Sequence, residues 1–148
     1  MLILPIKIAD DTYAIGIENI QEIIPVVEFS ILPSAPDFIK GLINYRGSVC
    51  PVIDISQLIK GISAKIFLST RIIMIDSGVE NCAFGLLAEQ VTETVYVNPQ
   101  DFNSVSGGLT SASYIDKTII LDGKIVQIIN PEKIYSEKLT IFHGTNTI

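Results

Sequence analysis

The sequence predicts a mainly β fold: two small β-barrels related by a pseudo-two-fold axis, with a few short helices. Three observations carry this. Val and Ile are plentiful and fall in short alternating runs, as expected of strands that bury one face. Gly, Pro, Asn and Asp punctuate the runs at turn-like intervals. Residues 32–58 return in degraded form at residues 114–134. At 148 residues, 48% apolar and 18% charged, the chain has the size of one compact unit and ample material to bury.

The elements follow in order. Residues 3–17 read as a hairpin: Leu4-Pro5-Ile6-Lys7-Ile8, a turn at Asp10-Asp11, then Tyr13-Ala14-Ile15-Gly16-Ile17. Residues 18–20 read as a helical turn, with Ile17, Ile20 and Ile24 spaced for one face. Pro25 cannot continue a helix, so residues 25–29 are expected to be extended. Residues 34–41 carry helix punctuation at both ends: Ser34 as the cap, Pro36 early, and Gly41 for a left-handed ending.

A second hairpin, residues 42–45 with 49–55, turns on Arg46-Gly47-Ser48. Val49, Pro51, Ile53 and Ile55 share one face; Cys50, Val52 and Asp54 share the other. Asp54 or Ser56 caps a short helix over residues 57–60, which Gly61 closes. Residues 72–76 and 83–88 form the next hairpin, with Ser77-Gly78 opening its loop, and residues 91–97 form a further strand. Asn98-Pro99 starts another helical turn. Residues 103–113, rich in Ser, Gly and Thr, are expected to form a mobile loop. Asp122-Gly123 sets a tight turn between residues 119–121 and 124–129. Asn130-Pro131 begins the last helix, and residues 140–148 are expected to fray.

Sliding the second half over the first by about 76 positions places Tyr114-Ile115 on Phe38-Ile39, Ile119 on Ile43, Gly123 on Gly47, Ile125 on Val49, Ile129 on Ile53 and Asn130 on Asp54. The last pair is chemically equivalent, since each short side-chain oxygen can accept a free helix N–H. At a slightly smaller offset, residues 17–22 (I-E-N-I-Q-E) match residues 88–93 (A-E-Q-V-T-E). Two small barrels follow, because closing a sheet removes exposed edges from a strand-rich chain.

The net charge is −6 and the pI near 4.6. Nucleic-acid binding draws on Lys and Arg to neutralise phosphates, so this balance argues against it, and equally against an anionic membrane surface. Cys50 and Cys82 lie far apart in no paired motif, which suits small apolar strand residues in a reducing cytoplasm and not a disulfide framework. The first residues, Met1-Leu2-Ile3-Leu4-Pro5, lack a basic region and a cleavage site, so no secretory signal is expected. No apolar run reaches the roughly 18 residues that span a bilayer, so direct membrane insertion is not expected.

Candidate chemistry is sparse. Asp76-Ser77-Gly78 after Ile72-Ile73-Met74-Ile75 resembles an aspartic-protease motif, which would need a dimer to supply its second carboxylate. The competing explanation is a hairpin turn. His143 is the only histidine, far from Cys or Asp partners. Gly107-Gly108 lacks the Lys and helix start of a phosphate loop. No catalytic, cofactor-binding or metal-binding residues are therefore expected. Arg46 stands at a hairpin tip, where it is either a solvated turn charge or a planar donor placed to fork onto a partner's carboxylate or carbonyl groups. Glu22 carries the same ambiguity. Ile20, Val26 and Val27 fit either core or interface, with core the default.

The run Ile39 to Ile55, I-K-G-L-I-N-Y-R-G-S-V-C-P-V-I-D-I, resembles the signature of CheW-type chemotaxis coupling proteins. Leu32-Pro33, Ala35-Pro36, Tyr13-Ala14-Ile15, Ile20-Gln21-Glu22-Ile23 and Phe84-Gly85-Leu86-Leu87 fit as well, so the resemblance covers residues 4–135. It implies a CheW-like fold of two interlocked SH3-like β-barrel subdomains in a single domain spanning residues 1–148. It also implies a non-catalytic cytoplasmic adaptor. Its partners would be the cytoplasmic tip of chemoreceptors and the regulatory domain of a CheA-type histidine kinase. Carried onto this chain, Arg46, Glu22 and Ile20 match receptor-binding positions, and Gly41 and Gly47 match glycines linked to kinase coupling. Two departures stand out: Ala88-Glu89 where the family often has Val-Asp, and Asp116-Lys117-Thr118-Ile119 in place of a glycine-bearing stretch. The expected mechanism seats a receptor helix hairpin in an apolar groove between the barrels, with Arg46 and Glu22 at its rim, while an apolar patch on a barrel end docks the kinase. The alternatives are the same adaptor in a motility or second-messenger pathway, a detached kinase regulatory domain, which shares this fold, and the dimeric protease using Asp76.

Overall fold

The computed structural model describes residues 1–78, 83–104 and 112–140. Cys82, Gly107, Gly108, His143, most of the 103–113 loop and the tail beyond Thr140 fall outside them.

The first hairpin pairs β1 (Leu2–Ile8) with β2 (Asp11–Gly16) around Ala9-Asp10. A single 3-10 turn, Ile17–Asn19, leads to β3 (Ile20–Pro25). The second hairpin, β4 (Ile39–Tyr45) and β5 (Ser48–Asp54), runs into α1 (Ile55–Lys60). β6 (Arg71–Asp76) and β7 (Ala83–Ala88) follow, then the short strands β8 (Gln90–Val91), β9 (Val95–Tyr96) and β10 (Asn103–Ser104). β11 (Ile115–Leu121) and β12 (Lys124–Ile129) form the last hairpin. α2 (Pro131–Ile134) continues as a wider π turn over Tyr135–Leu139.

Three expectations need correction. Residues 20–25 are a strand, paired with β6 and bulged between Ile20 and Glu22. The bulge lets Ile20 and Ile24 pack on different cores, so their helix-like spacing was coincidental. Residues 34–41 are not a helix. Ala35 N–H reaches the Leu32 carbonyl at 3.3 Å and Ile39 N–H the Pro36 carbonyl at 3.0 Å, giving two successive turns. Pro33 and Pro36 each bias the residue before them away from the helical region, which outweighs the capping pattern. Residues 91–97 are not one strand. β8 and β9 both pair with β1, but the ladder breaks opposite Pro5, whose carbonyl accepts from Thr92 N–H at 3.2 Å. The N–H and C=O of a strand residue point to the same edge, so the missing proline donor lies on this side.

The strands form two sheets. One runs β10-β11-β12-β2-β1-β8, with β9 also on β1; the other runs β4-β5-β7-β6-β3. The order matches strand for strand from β11 and from β4. The registers match too. Ile39 opposes Ile53 and Ile115 opposes Ile129, each pair followed by a one-residue bulge. Asp54 N–H bonds to the Phe38 carbonyl at 2.8 Å, and Asn130 N–H to the Tyr114 carbonyl at 2.7 Å. The turns Arg46-Gly47 and Asp122-Gly123 have φ of 52° and 83°, and 51° and 76°, the all-positive pattern of a type I′ hairpin.

Each sheet takes its first hairpin from the other repeat. β2 joins β12 in parallel, and β7 joins β5 in parallel. Strand pairing alone closes neither sheet among the described residues. The chain instead wraps from one edge to the other: Ser30 bridges Leu42 of β4, and β10 pairs with β11. The two subdomains are therefore SH3-like and interlocked.

Alternation along the strands divides the interior into three cores. Cys50, Val52, Ile72, Met74 and Leu87 fill the second barrel; Ile3, Ala14, Ile119, Val126 and Ile128 fill the first. The opposite faces build a larger shared core between the sheets, including Ile6, Ile15, Ile53, Ile73, Phe84, Leu86 and Ile129, and α2 adds Ile134 to it. Asp54, buried, ties this scheme to α1. Its Oδ1 accepts from Gln57 N–H at 3.2 Å and its Oδ2 from Ala64 N–H at 2.9 Å.

Gly41 sits in β4 at the bulge, with φ +155°, and a Cβ there would lie 2.7 Å from the Ser30 carbonyl oxygen. Lys117 occupies the equivalent bulge without a positive φ, although β10 pairs there too, so the glycine is needed only where the bulge takes the positive φ and brings the strand against the Ser30 carbonyl. Gly41→Ala should cost about 1–3 kcal/mol, read as a lower denaturation midpoint. Gly47→Ala meets open space at φ +83° and should cost only about 1 kcal/mol; equal shifts would contradict this account. Asp54→Ala should cost about 2–4 kcal/mol. Asn130→Ala, which loses a 3.3 Å cap to Lys133 N–H, should cost about 1 kcal/mol; the same measurement checks the order.

Candidate functional site

The type I′ turn holds Arg46 out of the sheet at the tip of the β4–β5 hairpin. Gly47 N–H donates back to Asn44 Oδ1 at 2.9 Å, so the turn is braced and Arg46 has a defined base. Its side chain is 68% exposed. Arg46 Nη2 donates to Glu22 Oε1 at 2.7 Å, and Tyr45 Oη donates to the same oxygen at 2.7 Å. The guanidinium carbon also lies 5.3 Å from the Tyr45 ring centre, within cation–π range.

The elements explain the convergence. After its bulge, β3 sends Ile24 to the second barrel's core, and Glu22, two residues earlier on the alternating strand, lies at that core's edge. Tyr45 is only 7% exposed and belongs to the same core. Burial raises the Tyr45 pKa above the usual 10.0 first of all, and the bond to Glu22 raises it further against the opposing effect of Arg46. The phenol is therefore a neutral donor at physiological pH.

An exposed pair of this kind contributes only about 0–1 kcal/mol to folding. Its consequence is orientation. Among the described residues, the Arg46 side chain has no other hydrogen bond, so the rest of its donor fork remains available to a partner's carboxylate or carbonyl groups.

Arg46, Glu22 and Gly47 thus come together, whereas Ile20 and Gly41 do not join them. Ile20 is half-buried against the shared core, on the other side of the bulge. Gly41 lies at the far end of β4, against Ser30. The seam between the sheets is filled by the shared core, and the Arg46–Glu22 pair rests on the second barrel's own core, one bulge away. Asp76 is exposed and accepts from Gly78 N–H at 2.9 Å, which is the hairpin-turn role.

Two features escaped the sequence reading. Tyr45 carried no role of its own in the sequence beyond ending the strand over residues 42–45, although its place beside Arg46 was visible. The α1–β6 loop carries Ile62, Ile66, Phe67 and Leu68 exposed, Leu68 at 99%. It is held by Phe67 N–H to Thr70 Oγ1 at 2.8 Å, Lys65 N–H to Glu89 Oε2 at 2.9 Å and Arg71 Nη1 to the Leu68 carbonyl at 2.6 Å. The apolar run Ile66-Phe67-Leu68, in the segment between the helix-ending Gly61 and β6, was the available signal. A second exposed apolar pair, Ile120 and Ile125, faces out across the β11–β12 hairpin. No helix among the described residues is long and apolar enough to cross a membrane.

A paired-barrel fold with a hydrogen-bonded charged cluster on one barrel end and exposed apolar surfaces elsewhere defines a protein-binding module. The model of the CheW-like domain matches residues 3–139, and the chain belongs to that family. The chemotaxis protein CheW of Helicobacter pylori is 28% identical over 129 residues, covering 86% of this chain and 76% of that protein. The CheW of Thermotoga maritima is 24% identical over 144 residues, covering 96% and 91%. The crystal structure of the scaffolding protein CheW from Thermoanaerobacter tengcongensis superposes with a TM-score of 0.78 at 23% identity, covering 86% of this chain and 82% of that one.

The pKa values of Tyr13 and Tyr114 are also raised, again by burial first. Alkaline titration followed by tyrosinate absorbance should therefore show these two and Tyr45 ionising above pH 10.0. The native state then keeps protons that the unfolded chain releases near pH 10, so stability should be intact below about pH 10 and fall above it. Tyr45→Phe should lessen that fall; an unchanged alkaline profile would contradict the assignment.

Proposed function

We propose that this chain is a non-catalytic, cytoplasmic adaptor that couples chemoreceptors to a CheA-type histidine kinase. Arg46, fixed at a hairpin tip by Glu22 and Tyr45, is the observation that carries the receptor half of this function. A donor fork whose base and head are both restrained loses little freedom on binding, which favours a specific contact over a loose one. The cytoplasmic tip of a receptor coiled coil offers the matching chemistry: helix faces with apolar ridges flanked by carboxylate and amide groups.

The kinase half falls to a different surface. The α1–β6 loop and the Ile120–Ile125 face are exposed, apolar and away from the Arg46 turn in sequence and topology. Contiguous exposed apolar surface marks interaction sites, and either face suits the regulatory domain of the kinase. Coupling then needs no chemistry within this chain. Holding both partners at once allows a change in receptor state to bias the kinase, through the difference in how well each state fits the assembly. Gly41 and Gly47 contribute to this through backbone shape: one seats the wrapping segment, the other forms the turn that carries Arg46.

Arg46→Glu tests the assignment. It should weaken binding to a soluble receptor-tip fragment by about tenfold or more, while the melting temperature stays nearly unchanged and binding to the kinase regulatory domain persists. Normal receptor binding by a folded variant would remove Arg46 from the interface.

A further inference from the structure

We infer that Tyr45 is a positioning residue for the recognition arm, acting through Glu22 to hold the Arg46 guanidinium in its binding-competent orientation. This rests on the receptor-contacting role proposed for Arg46.

The geometry is specific to this triad. Two donors converge on one carboxylate oxygen, Glu22 Oε1, each at 2.7 Å. The two partners differ in freedom. Arg46 is 68% exposed at a turn, and its long side chain has many rotamers to lose. Tyr45 is anchored in the second barrel's core at 7% exposure, where packing fixes the ring. The hydroxyl therefore pins the carboxylate from the buried side, and the pinned carboxylate pins the guanidinium from the exposed side. The Tyr45 ring adds a second restraint by lying under the guanidinium at 5.3 Å. An isolated exposed Arg–Glu pair would sample several geometries, because screening and side-chain entropy offset its attraction. The phenol changes that by removing the motion of the acid.

The pseudo-two-fold copy lacks this device. Leu121 stands in the place of Tyr45 and Asp122 in the place of Arg46 at the equivalent turn, and Leu121 packs on the first barrel's core. The backbone repeats while the arm does not, so the triad is an addition to one hairpin and not a requirement of the fold.

The test uses Tyr45→Phe, which keeps the ring and its packing and removes only the hydroxyl. The chain has two arginines, Arg46 and Arg71, so arginine-selective NMR resolves the Arg46 guanidinium directly. In the original protein its rotation should be restricted; in Tyr45→Phe it should become fast, with Arg71 unaffected. Affinity for a receptor-tip fragment should fall by about three- to tenfold. The same substitution in an Arg46→Ala background should have no further effect, a non-additivity that a purely structural tyrosine would not produce. Unchanged Arg46 dynamics would overturn the inference, as would an equal loss in both backgrounds. If Arg46→Ala itself binds the fragment normally, the receptor assignment fails as well. If Arg46→Ala loses binding and Tyr45→Phe does not, only the role of Tyr45 fails.

Discussion

The parallel pairing of β5 with β7 and of β12 with β2 is the constraint on which the molecule depends. Each of these contacts joins a hairpin of one repeat to a hairpin of the other, so neither barrel is a contiguous copy of the repeated unit. The exchange forces both sheets to lie against each other. It turns one face of every central strand toward a common interior, where Ile53, Ile73, Phe84 and Leu86 meet Ile6, Ile15 and Ile129. A strand in this arrangement has no solvent face. That explains why its sequences read as continuous apolar runs, as in Ile72-Ile73-Met74-Ile75, all fully buried.

The same constraint frees the barrel ends. Because the central strand faces are committed to one core or another, the surface left for recognition is made by turns, loops and the exposed β11–β12 face. The Arg46 turn is held by the β4–β5 ladder and the Gly47 N–H bond to Asn44, and the chain beyond β3 wraps to Ser30 and bridges Leu42, which keeps Glu22 beside it. Gly41 is where that wrap presses on the strand, which makes it a residue the fold itself requires. Tyr45 joins the two levels: its ring belongs to a core and its hydroxyl to the surface cluster. The frame itself is kept at low identity, since the CheW of Thermoanaerobacter tengcongensis superposes with a TM-score of 0.78 at 23% identity.

Much was legible beforehand. The repeat was visible because the turn requirements repeat: a type I′ turn needs positive φ at two positions, and Gly47 and Gly123 satisfy the second in each copy. Asp54 and Asn130 showed themselves as caps for an equally local reason. Ser34, an early Pro36 and Gly41 punctuate residues 34–41 like a helical turn, but Pro33 and Pro36 also bias the residues before them away from the helical region, and that bias prevails. The missed strand at residues 20–25 came from a bulge, which shifts the period by one residue and imitates a helical face. The break between β8 and β9 followed from Pro5, distant in sequence and adjacent in space.

Local chemistry thus determined the β class, the duplicated hairpins, the caps and the position of Arg46 on a turn, because each depends on residues within a few positions of one another. Only the tertiary structure decided which hairpin joined which sheet, that Gly41 yields to Ser30, and that Tyr45 and Arg46 share one oxygen of Glu22. Those outcomes depend on contacts between segments far apart along the chain, where the free energy of burial and close packing selects a partner that no local pattern names.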